Sequence, residues 1–452
     1  MRYIPHSTRD VEEMLKKIGV ANVDELFEQI PRQARFTDEL KLPAPLSELE
    51  LETLLSEMSA TQATSMTSFL GAGIYGHFIP GAVDTLLMRS EFYTAYTPYQ
   101  PEISQGTLQA IFEFQTVVAR MLGMHVANAS MYDGATALVE AALMARRVNR
   151  RHGIAASAGI HPEYIETLRT YLKALDGSDD ALTIIPVDDM TGQTDTRVLS
   201  EVLNDKTACL LVGYPNFFGV AERLDQMVPI AREKGICVVT STLDVFAFGV
   251  LKSPGAFGVD IATAEGQSIA VPPSYGGPGL GLFAIADDRK LLRQMPGRLV
   301  GRTEDTKGDT GYVLTLATRE QHIRREKATS NICTNHGLCA LSAVINLCFL
   351  GKHGYQQVAS LCLSLAEYLK SEIRRLNHFE LGYSGATFNE FVLRCRTHSA
   401  ADVLSRLEAE GILGGVNLHR FGMGDDLILM AVTELHNRKK IDALVDVLSR
   451  MD

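Results

Sequence analysis

The feature that most constrains the fold is an alternation of apolar strand patterns and amphipathic helical patterns across residues 61–320. Short apolar runs that suit buried strands lie at residues 182–187, 208–212, 236–240 and 281–286. A helical pattern at 224–234, closed by Gly235, connects two of these runs. Strands that alternate with helices form mostly parallel sheets, because a crossover helix returns the chain to the start of the next strand. The sequence therefore predicts an α/β domain with a mostly parallel sheet, which binds ligands at the carboxyl ends of its strands.

Two smaller regions flank this domain. Residues 1–60 contain short helical patterns, one of them after an Asn22 N-cap, and they resemble an arm without a core of its own. The last part of the chain begins with two long helical patterns, at 336–350 and 356–376, and continues with strands and helices. That order is typical of a smaller α+β domain. We therefore expect three parts, at residues 1–60, 61–320 and 321–452.

Composition narrows the class of protein. The net charge of −11 argues against nucleic-acid binding, since phosphate backbones require a cationic surface. No apolar run approaches the roughly 20 residues that span a bilayer, and the charged N-terminus lacks an apolar signal segment. We therefore expect a cytoplasmic protein that binds no membrane. The seven cysteines form no CxxC pair and predict neither a metal site nor a disulfide framework. Five lie in apolar sequence and are expected in the core, namely Cys209, Cys237, Cys339, Cys348 and Cys362.

One segment, VDIATAEGQSIAVPPSYGGPGLGLFAIA, has the layout of an active-site stretch but contains no lysine. An apolar run at 259–264 leads to Gln267, and a glycine-rich turn then returns the chain to a second apolar strand. In pyridoxal-phosphate (PLP) enzymes of the aspartate-aminotransferase fold, a lysine in such a place forms the Schiff base, which an amide cannot form. The flanking Lys252 and Lys290 would serve an autonomous PLP enzyme, but both lie beside turns. The sequence therefore favours a chain that works with a PLP-bearing partner.

Two loops carry candidate ligand-binding side chains. The first, SFLGAGIYGHFIP, contains Gly71, Gly73, Tyr75 and His77. Its glycines allow a close approach to a ligand, although a plain surface turn is an equal alternative. His77 is a candidate proton carrier because the pKa of histidine is near neutral, but a structural role is the more frequent one.

The second loop, YTAYTPYQPE, is extended, because Pro98 and Pro101 exclude a helix. It presents Tyr96, Tyr99 and Gln100 just before a helical pattern. Such a group of tyrosines suits a ligand site and the packing of a subunit interface equally well. Both roles hold if a site lies on a subunit boundary.

Further positions match the places where PLP enzymes hold their cofactor. The turn SMYDGATA puts Gly134 at a helix N-terminus, where a phosphate commonly binds. Asp133 at the same turn caps the helix and repels a phosphate, so the turn keeps the shape of a cofactor site without holding the cofactor. Asn216 and Asp244 each follow a predicted strand, and an acid in the place of Asp244 pairs with the pyridinium nitrogen in PLP enzymes. Both are also common residue types in ordinary turns.

Five motifs considered together carry a family resemblance: SFLGAGIYGHFIP, YTPYQPEISQG, SMYDGATA, EGQSIAVPPSYGGPGLG and REKATSNICTN. They resemble the glycine decarboxylase P-protein of the glycine cleavage system, in the α-type subunit of its two-subunit bacterial form. The resemblance covers essentially the whole chain and implies a fold type I, PLP-dependent transferase fold. It also implies a second subunit of similar fold that carries the lysine and PLP, with Gln267 at the matching position here.

The resemblance implies a reaction as well. The family decarboxylates glycine on PLP and transfers the aminomethyl group to the lipoyl group of the H-protein, as a glycine dehydrogenase (aminomethyl-transferring) that is active only with subunit 2. The pair is expected as a heterodimer or as α2β2, with residues of both chains around each cofactor. The candidates for reaching into the partner's site are Gly71, Gly73, Tyr75, His77, Tyr96, Tyr99 and Gln100. The alternative is a catalytically silent structural or regulatory subunit of the same complex.

Overall fold

A computed structural model describes residues 5–36, 38–60 and 65–451, which belong to two compact units, the second beginning at Ser65. The strands, in chain order, are β1 Thr67–Ser68, β2 Val126–Ala127, β3 Gly153–Ser157, β4 Leu182–Ile185, β5 Thr207–Gly213, β6 Cys237–Thr242, β7 Ile261–Glu265, β8 Gly281–Ile285, β9 Leu299–Glu304, β10 Thr310–Thr315, β11 Phe379–Leu381, β12 Glu390–Cys395, β13 Ile412–Leu413, β14 Val416–Asn417 and β15 Leu427–Ala431. The α-helices are α1 Thr8–Ile18, α2 Glu48–Ala60, α3 Gly81–Leu87, α4 Ser90–Tyr93, α5 Gln105–Leu122, α6 Gly134–Asn149, α7 Pro162–Asp176, α8 Thr196–Val202, α9 Leu224–Glu233, α10 Gln267–Ala270, α11 Arg289–Gln294, α12 Gln321–Arg324, α13 Gly337–Ile373, α14 Ala400–Ala409 and α15 Arg438–Ser449.

The N-terminal unit has helices but buries little of them. Neither α1 nor α2 has a buried residue. The helix expected after Asn22 is a short 3-10 turn, Val23–Phe27, although Asn22 caps it as predicted. The assignment of residues 1–60 as an arm stays a prediction.

The main unit contains a seven-stranded sheet with the order β2-β8-β7-β6-β5-β3-β4. Neighbouring strands from β7 to β4 pair in parallel, whereas β8 is antiparallel to both of its neighbours. Strands β5, β6, β7 and β8 lie on the predicted runs, and all of their residues are buried, as expected for strands that are covered on both faces. The predicted α/β architecture with a mostly parallel sheet is confirmed.

A second sheet, with the order β11-β12-β15-β14, is antiparallel throughout. Its core contains residues of β12 and β15 together with residues of α14 and α15, such as Leu393, Val403 and Leu444. The C-terminal part therefore contains the strands and helices that were expected of an α+β domain. Strand β1 pairs in parallel with β13, so the chain just after Ser65 lies beside C-terminal elements. Both sheets belong to one compact unit, and the division at 320 stays a prediction.

The two long helices expected after residue 336 both lie within α13, and they meet at Gly351, whose φ of 56° and ψ of −176° are not helical, so the predicted break is confirmed. Contrary to the expectation from the sequence, α13 is apolar and long enough to cross a bilayer by length and composition alone. At Ala340 and Ala343 the apolar side chains pack in the protein core, so core packing explains their presence in this helix. Cys339 is only half buried and Cys348 is exposed, so the expectation that both are core residues is wrong.

Two central elements escaped prediction. Strand β3 lies between β4 and β5 in the sheet, and its sequence is Gly-Ile-Ala-Ala-Ser. Small residues give little strand signal because they lack the β-branched and aromatic side chains that favour strands. Helix α7 follows directly after it.

Candidate functional site

The parallel register of β5, β6 and β7 brings their carboxyl ends to one edge of the sheet. Asn216, Asp244 and Gln267 follow these three strands, and Gly134 begins α6. We call this region, together with the loop at residues 71–77 that covers it, the cleft. The sequence predicted these strand-end positions because parallel strands collect them at one edge.

Gln267 is held by the covering loop. Its side-chain oxygen accepts the N–H of Tyr75 at 3.0 Å, and its amide nitrogen donates to the carbonyl oxygen of Tyr75 at 3.1 Å and to that of Val271 at 2.6 Å. Gln267 is 5% exposed, so water does not replace these partners. The amide therefore serves as a structural clamp between the loop and α10.

His77 lies between two carboxylates. Its Nε2 is 3.1 Å from Asp244 Oδ2 and its Nδ1 is 2.8 Å from Glu434 Oε2, and its ring packs against the ring of Phe246. Burial opposes the charge on His77, but Asp244 and Glu434 outweigh burial and raise the pKa to about 9. Burial also works against the Glu434 carboxylate, yet the bond to His77 lowers its pKa. The imidazole is therefore protonated and donates from both nitrogens, so the near-neutral pKa expected for a proton carrier is wrong.

Two residues of the C-terminal part complete this cluster. Asn389 donates to Asp244 Oδ2 at 2.8 Å. Glu390 accepts the hydroxyl of Tyr75 at 2.7 Å and the N–H of Ala72 at 2.7 Å. Burial raises the pKa of Glu390 to about 7, and burial raises that of Tyr75 as well. Sequence reasoning assigned no role to Asn389 or Glu390, because their partners are distant in the chain.

The first turn of α6 is already bound to a carboxylate. Glu265 accepts the N–H of Gly134 at 2.8 Å, of Leu280 at 2.8 Å and of Gln267 at 2.9 Å. Burial raises the pKa of Glu265, while these three donors act in the opposite direction. Asp133 caps α6 by accepting the N–H of Thr136 at 2.7 Å, as predicted. A Cβ atom at Gly134 would collide with the hydroxyl of Tyr164, so the turn has little spare volume.

These contacts do not fit a bound PLP. The cleft offers an amide at Gln267 where the cofactor needs an amine, and the carboxylate of Asp244 is already paired. Among the described residues the buried lysine is Lys370, whose Nζ donates to Thr387 at 2.8 Å.

Asn216 has a structural role within the main unit. It donates to the carbonyl oxygen of Gly192 and to Glu222, and it accepts two main-chain N–H groups. With 2% exposure it has no surface left for a ligand. Of the two glycines singled out in the first loop, Gly73 has φ +93° and packs on His161, and Gly71 packs on Glu390.

His77 and Glu434 also lie close to a thiol. One ligand atom each from His77, Cys362 and Glu434 falls within 4.8 Å of the others. Burial raises the pKa of Cys362 well above its ordinary value, so the sulfur is a neutral thiol. The imidazole nitrogen and the carboxylate bond directly to each other at 2.8 Å, and that hydrogen bond accounts for their proximity without a metal.

The second loop of the sequence analysis, residues 93–102, lies on the surface, and we call it the tyrosine loop. Tyr96 is 77% exposed and Tyr99 is 53% exposed, and Gln100 is exposed as well. The hydroxyl of Tyr99 accepts a hydrogen bond from the buried Arg298 at 3.3 Å, and the guanidinium lies over the tyrosine ring. Tyr96 lines a cavity of about 240 Å³, and Arg298 and Asn335 lie on the same cavity. Tyr96, Tyr99 and Gln100 are therefore accessible, whereas Tyr75 and His77 face the interior of this chain. The loop is not extended from its start, because Tyr93 belongs to α4.

An apolar groove adjoins the tyrosine loop. It has a volume of about 520 Å³ and lies between α5 and α13. Its lining includes Phe92, Ala110, Leu341, Ile345 and Phe349. Phe349 is 54% exposed at its rim. Its lining also includes Gln109 and Glu113, so the groove is apolar with a few polar groups, as protein-interaction surfaces often are.

Comparison with known proteins adds relatives that cover the whole chain. A family model described as "Glycine cleavage system P-protein" matches residues 1–448. The chain is 50% identical over 447 residues to the probable glycine dehydrogenase (decarboxylating) subunit 1 of Sorangium cellulosum, with 98% of each chain covered. It is 46% identical over 450 residues to the protein of that description from Desulforamulus reducens, again with 98% of each covered.

Solved structures agree with these relatives. A crystal structure of glycine decarboxylase (P-protein) of the glycine cleavage system, in inhibitor-bound form, superposes with a TM-score of 0.87 at 38% identity, and 100% of each chain is covered. A sphingosine-1-phosphate lyase from Burkholderia pseudomallei superposes with a TM-score of 0.64 at 17% identity, over 93% of this chain and 94% of the other. The second likeness concerns the fold, which is that of the fold type I PLP-dependent enzymes.

Proposed function

The chain belongs to the glycine cleavage system P-protein family, and we propose that it is the α-type subunit of a two-subunit glycine decarboxylase. In this proposal it is inactive alone and completes a catalytic site with a second subunit that carries PLP. The bound cofactor supplies the electron sink for loss of carbon dioxide from glycine. The aminomethyl product then passes to the lipoyl group of the H-protein.

The proposal rests on one observation, which is that the cleft of this chain contains an amide where a PLP enzyme has its lysine. Gln267 cannot form a Schiff base, and its amide is bound to the main chain of Tyr75 on both sides. A chain of this family without an amine in its cleft needs the amine of a partner. PLP is therefore assigned to subunit 2.

The tyrosine loop is this chain's proposed contribution to the partner's site. Tyr96, Tyr99 and Gln100 are exposed polar side chains beside an apolar groove, which suits a site at a subunit boundary. The buried Arg298 donates a hydrogen bond to the hydroxyl of Tyr99 and so fixes the orientation of that hydroxyl. The hydroxyls then orient the substrate and exclude water from the reacting carbon.

Three further assignments belong to the proposal. The H-protein needs an open channel, because a lipoyl-lysine arm must reach the cofactor from outside. The pair is a heterodimer or its α2β2 dimer, and the complex works in the cytoplasm. The groove beside α13 supports a partner surface on the main unit.

Reconstitution tests the proposal. The chain is purified alone, subunit 2 is purified alone, and the two are mixed with lipoylated H-protein and carboxyl-labelled glycine. We expect release of labelled carbon dioxide only from the mixture. Full activity of subunit 2 without this chain, or activity of this chain without subunit 2, would contradict the proposal.

A silent structural or regulatory subunit is the second candidate. It is favoured by the fact that His77 and Tyr75, two of the residues expected in the partner's site, lie buried in this chain at 7% and 2% exposure. The tyrosine loop separates the two candidates. A silent subunit tolerates conservative changes at Tyr96 and Tyr99, whereas a shared site does not.

A further inference from the structure

A bound PLP is held by three kinds of contact. An amine forms the covalent link, an acid pairs with the ring nitrogen, and the N-terminus of a helix binds the phosphate. The proposed function requires only that the amine is missing. The cleft of this chain also has an occupant at each of the other two contacts.

At the ring-nitrogen contact the occupant is His77. Asp244 lies at the carboxyl end of β6, and its Oδ2 accepts the Nε2–H of His77 at 3.1 Å. An imidazolium is a planar, aromatic cation with an N–H donor, as a pyridinium is. Asn389 donates to the same oxygen, so this side of the carboxylate is fully used. Phe246 packs against the ring, and Glu434 binds its other nitrogen.

At the phosphate contact the occupant is Glu265. Its carboxylate accepts the first N–H of α6, from Gly134, and the N–H groups of Gln267 and Leu280. Three converging main-chain donors are what an anion requires at a helix N-terminus. Asp133 adds a second carboxylate at the same turn. A phosphate would have to displace one acid and approach another.

The main chain of the residue 71–77 loop contacts His161 and Gln267 in the same cleft. The carbonyl oxygen of Ala72 accepts a hydrogen bond from His161 Nε2 at 3.0 Å. A Cβ atom at Gly73 would lie 3.3 Å from the ring of His161. The loop then continues through Tyr75, which is paired with Gln267, to His77. No side chain could be added at Gly73 without a shift, so the loop is closely seated.

We propose that this chain carries a built-in substitute for the cofactor, in which the His77 ring and the Glu265 carboxylate hold the ring-nitrogen and phosphate contacts and the loop between them closes the cleft. The cleft is then closed to PLP even when a lysine is supplied. The substitute has a structural role, because its contacts join the residue 71–77 loop to β6, α6 and the C-terminal sheet.

Variants of the full chain test separately whether PLP is excluded by the missing lysine or by the His77 and Glu265 side chains. In Gln267→Lys, the amine is restored and both occupants remain. In the triple variant Gln267→Lys/His77→Ala/Glu265→Ser, the amine is restored and the occupants are removed. Each is incubated with PLP, reduced with borohydride and mapped by peptide mass, with Gln267→Met as the control without an amine. Circular dichroism checks that each variant is folded.

We expect no phosphopyridoxyl adduct at position 267 in the single variant and an adduct there in the folded triple variant. An adduct in the single variant at the level of the triple variant would overturn the proposal. So would a folded triple variant that stays unlabelled, because the occupants would then not be what closes the cleft.

Small-molecule rescue gives a second measurement that needs no lysine and no activity. Imidazole should raise the melting temperature of His77→Ala, and inorganic phosphate should raise that of Glu265→Ser, because each probe refills the contact that the variant has vacated. The wild-type chain should respond to neither. Absence of both rescues in folded variants would count against the proposal. A failed reconstitution with subunit 2 leaves both results unchanged, so the two proposals fail separately.

Discussion

At the scale of the residue, His77 is the charged centre of the cleft. It bonds Asp244 from the large sheet and Glu434, which lies 357 positions further along the chain. The sequence could identify Asp244 as a strand-end acid, because the apolar run before it predicts a strand. The sequence could not identify Asn389 as a neighbour of Asp244 or Glu434 as a neighbour of His77, because only the folded chain brings such distant positions together.

The stability of the chain should depend on pH through His77. Its folded pKa of about 9 lies above the ordinary value of 6.5, so its contribution is fully present below pH 6.5 and is lost as the pH rises through 9. The titratable groups that face it are Asp244, Glu434 and Cys362. We expect the difference in unfolding free energy between wild type and His77→Gln to shrink over this range, measured by urea unfolding.

The exposed His353 on α13 supplies the control, since His353→Gln should leave the pH dependence unchanged. A wild-type to His77→Gln difference that is constant from pH 6 to pH 9 would show that the imidazole is not held as a cation.

The tight first turn of α6 gives a packing prediction. Gly134→Ala places a methyl group against Tyr164 and 3.1 Å from the Cβ of Glu265, so we expect a loss of about 1–3 kcal/mol in unfolding free energy. Gly106 of α5 has nothing within 4 Å, and Gly106→Ala should be neutral or stabilising. Equal stability of the two variants in urea would contradict the geometry of the filled turn.

At the scale of the element, prediction from sequence succeeded where burial makes a pattern uniform. The strands β5 to β8 are buried along their whole length, and the apolar runs that they contain were visible in the sequence. It failed at β3, whose alanines and glycine carry no strand signal. The division of α13 into two helices was correct, because Gly351 adopts a positive φ and a non-helical ψ between them.

The tyrosine loop is the element that separates a shared site from a silent subunit. We expect Tyr96→Phe and Tyr99→Phe to lower the turnover of the reconstituted pair without dissociating it, because each removes a hydroxyl and keeps the ring. Turnover is measured as carbon dioxide release, and pairing by size-exclusion chromatography. Tyr275, which is 96% exposed, supplies the control Tyr275→Phe. Kinetics that match the control at both positions would support the silent alternative.

At the scale of the whole molecule, apolar surface is left uncovered. Helices α1 and α2 bury no residue, and α13 leaves Leu338 and Phe349 exposed at 40% and 54%. Water penalises such surface by roughly 25 cal/mol per Å² of apolar area, so it favours a partner that covers it. The sequence predicted the partner through family resemblance, but the groove itself becomes visible only when α5 and α13 are placed side by side.

Pairing should therefore be sensitive to charge in the groove. Phe349→Asp puts a carboxylate on the apolar rim, and we expect it to weaken the affinity for subunit 2 while the chain stays folded. Met190, which is 74% exposed and lies outside the groove, supplies the control Met190→Asp. Affinity is measured by titration of one labelled subunit with the other. Unchanged affinity in Phe349→Asp would place the interface elsewhere.

The most direct test of the central claim is the location of the cofactor in the active pair. The reconstituted complex is reduced with borohydride, digested, and searched by mass spectrometry for phosphopyridoxyl-lysine. We predict one adduct on a lysine of subunit 2 and none on this chain. An adduct on any lysine of this chain, formed in the active complex, would contradict the view that a clamped amide and a filled cleft have taken the cofactor's place here.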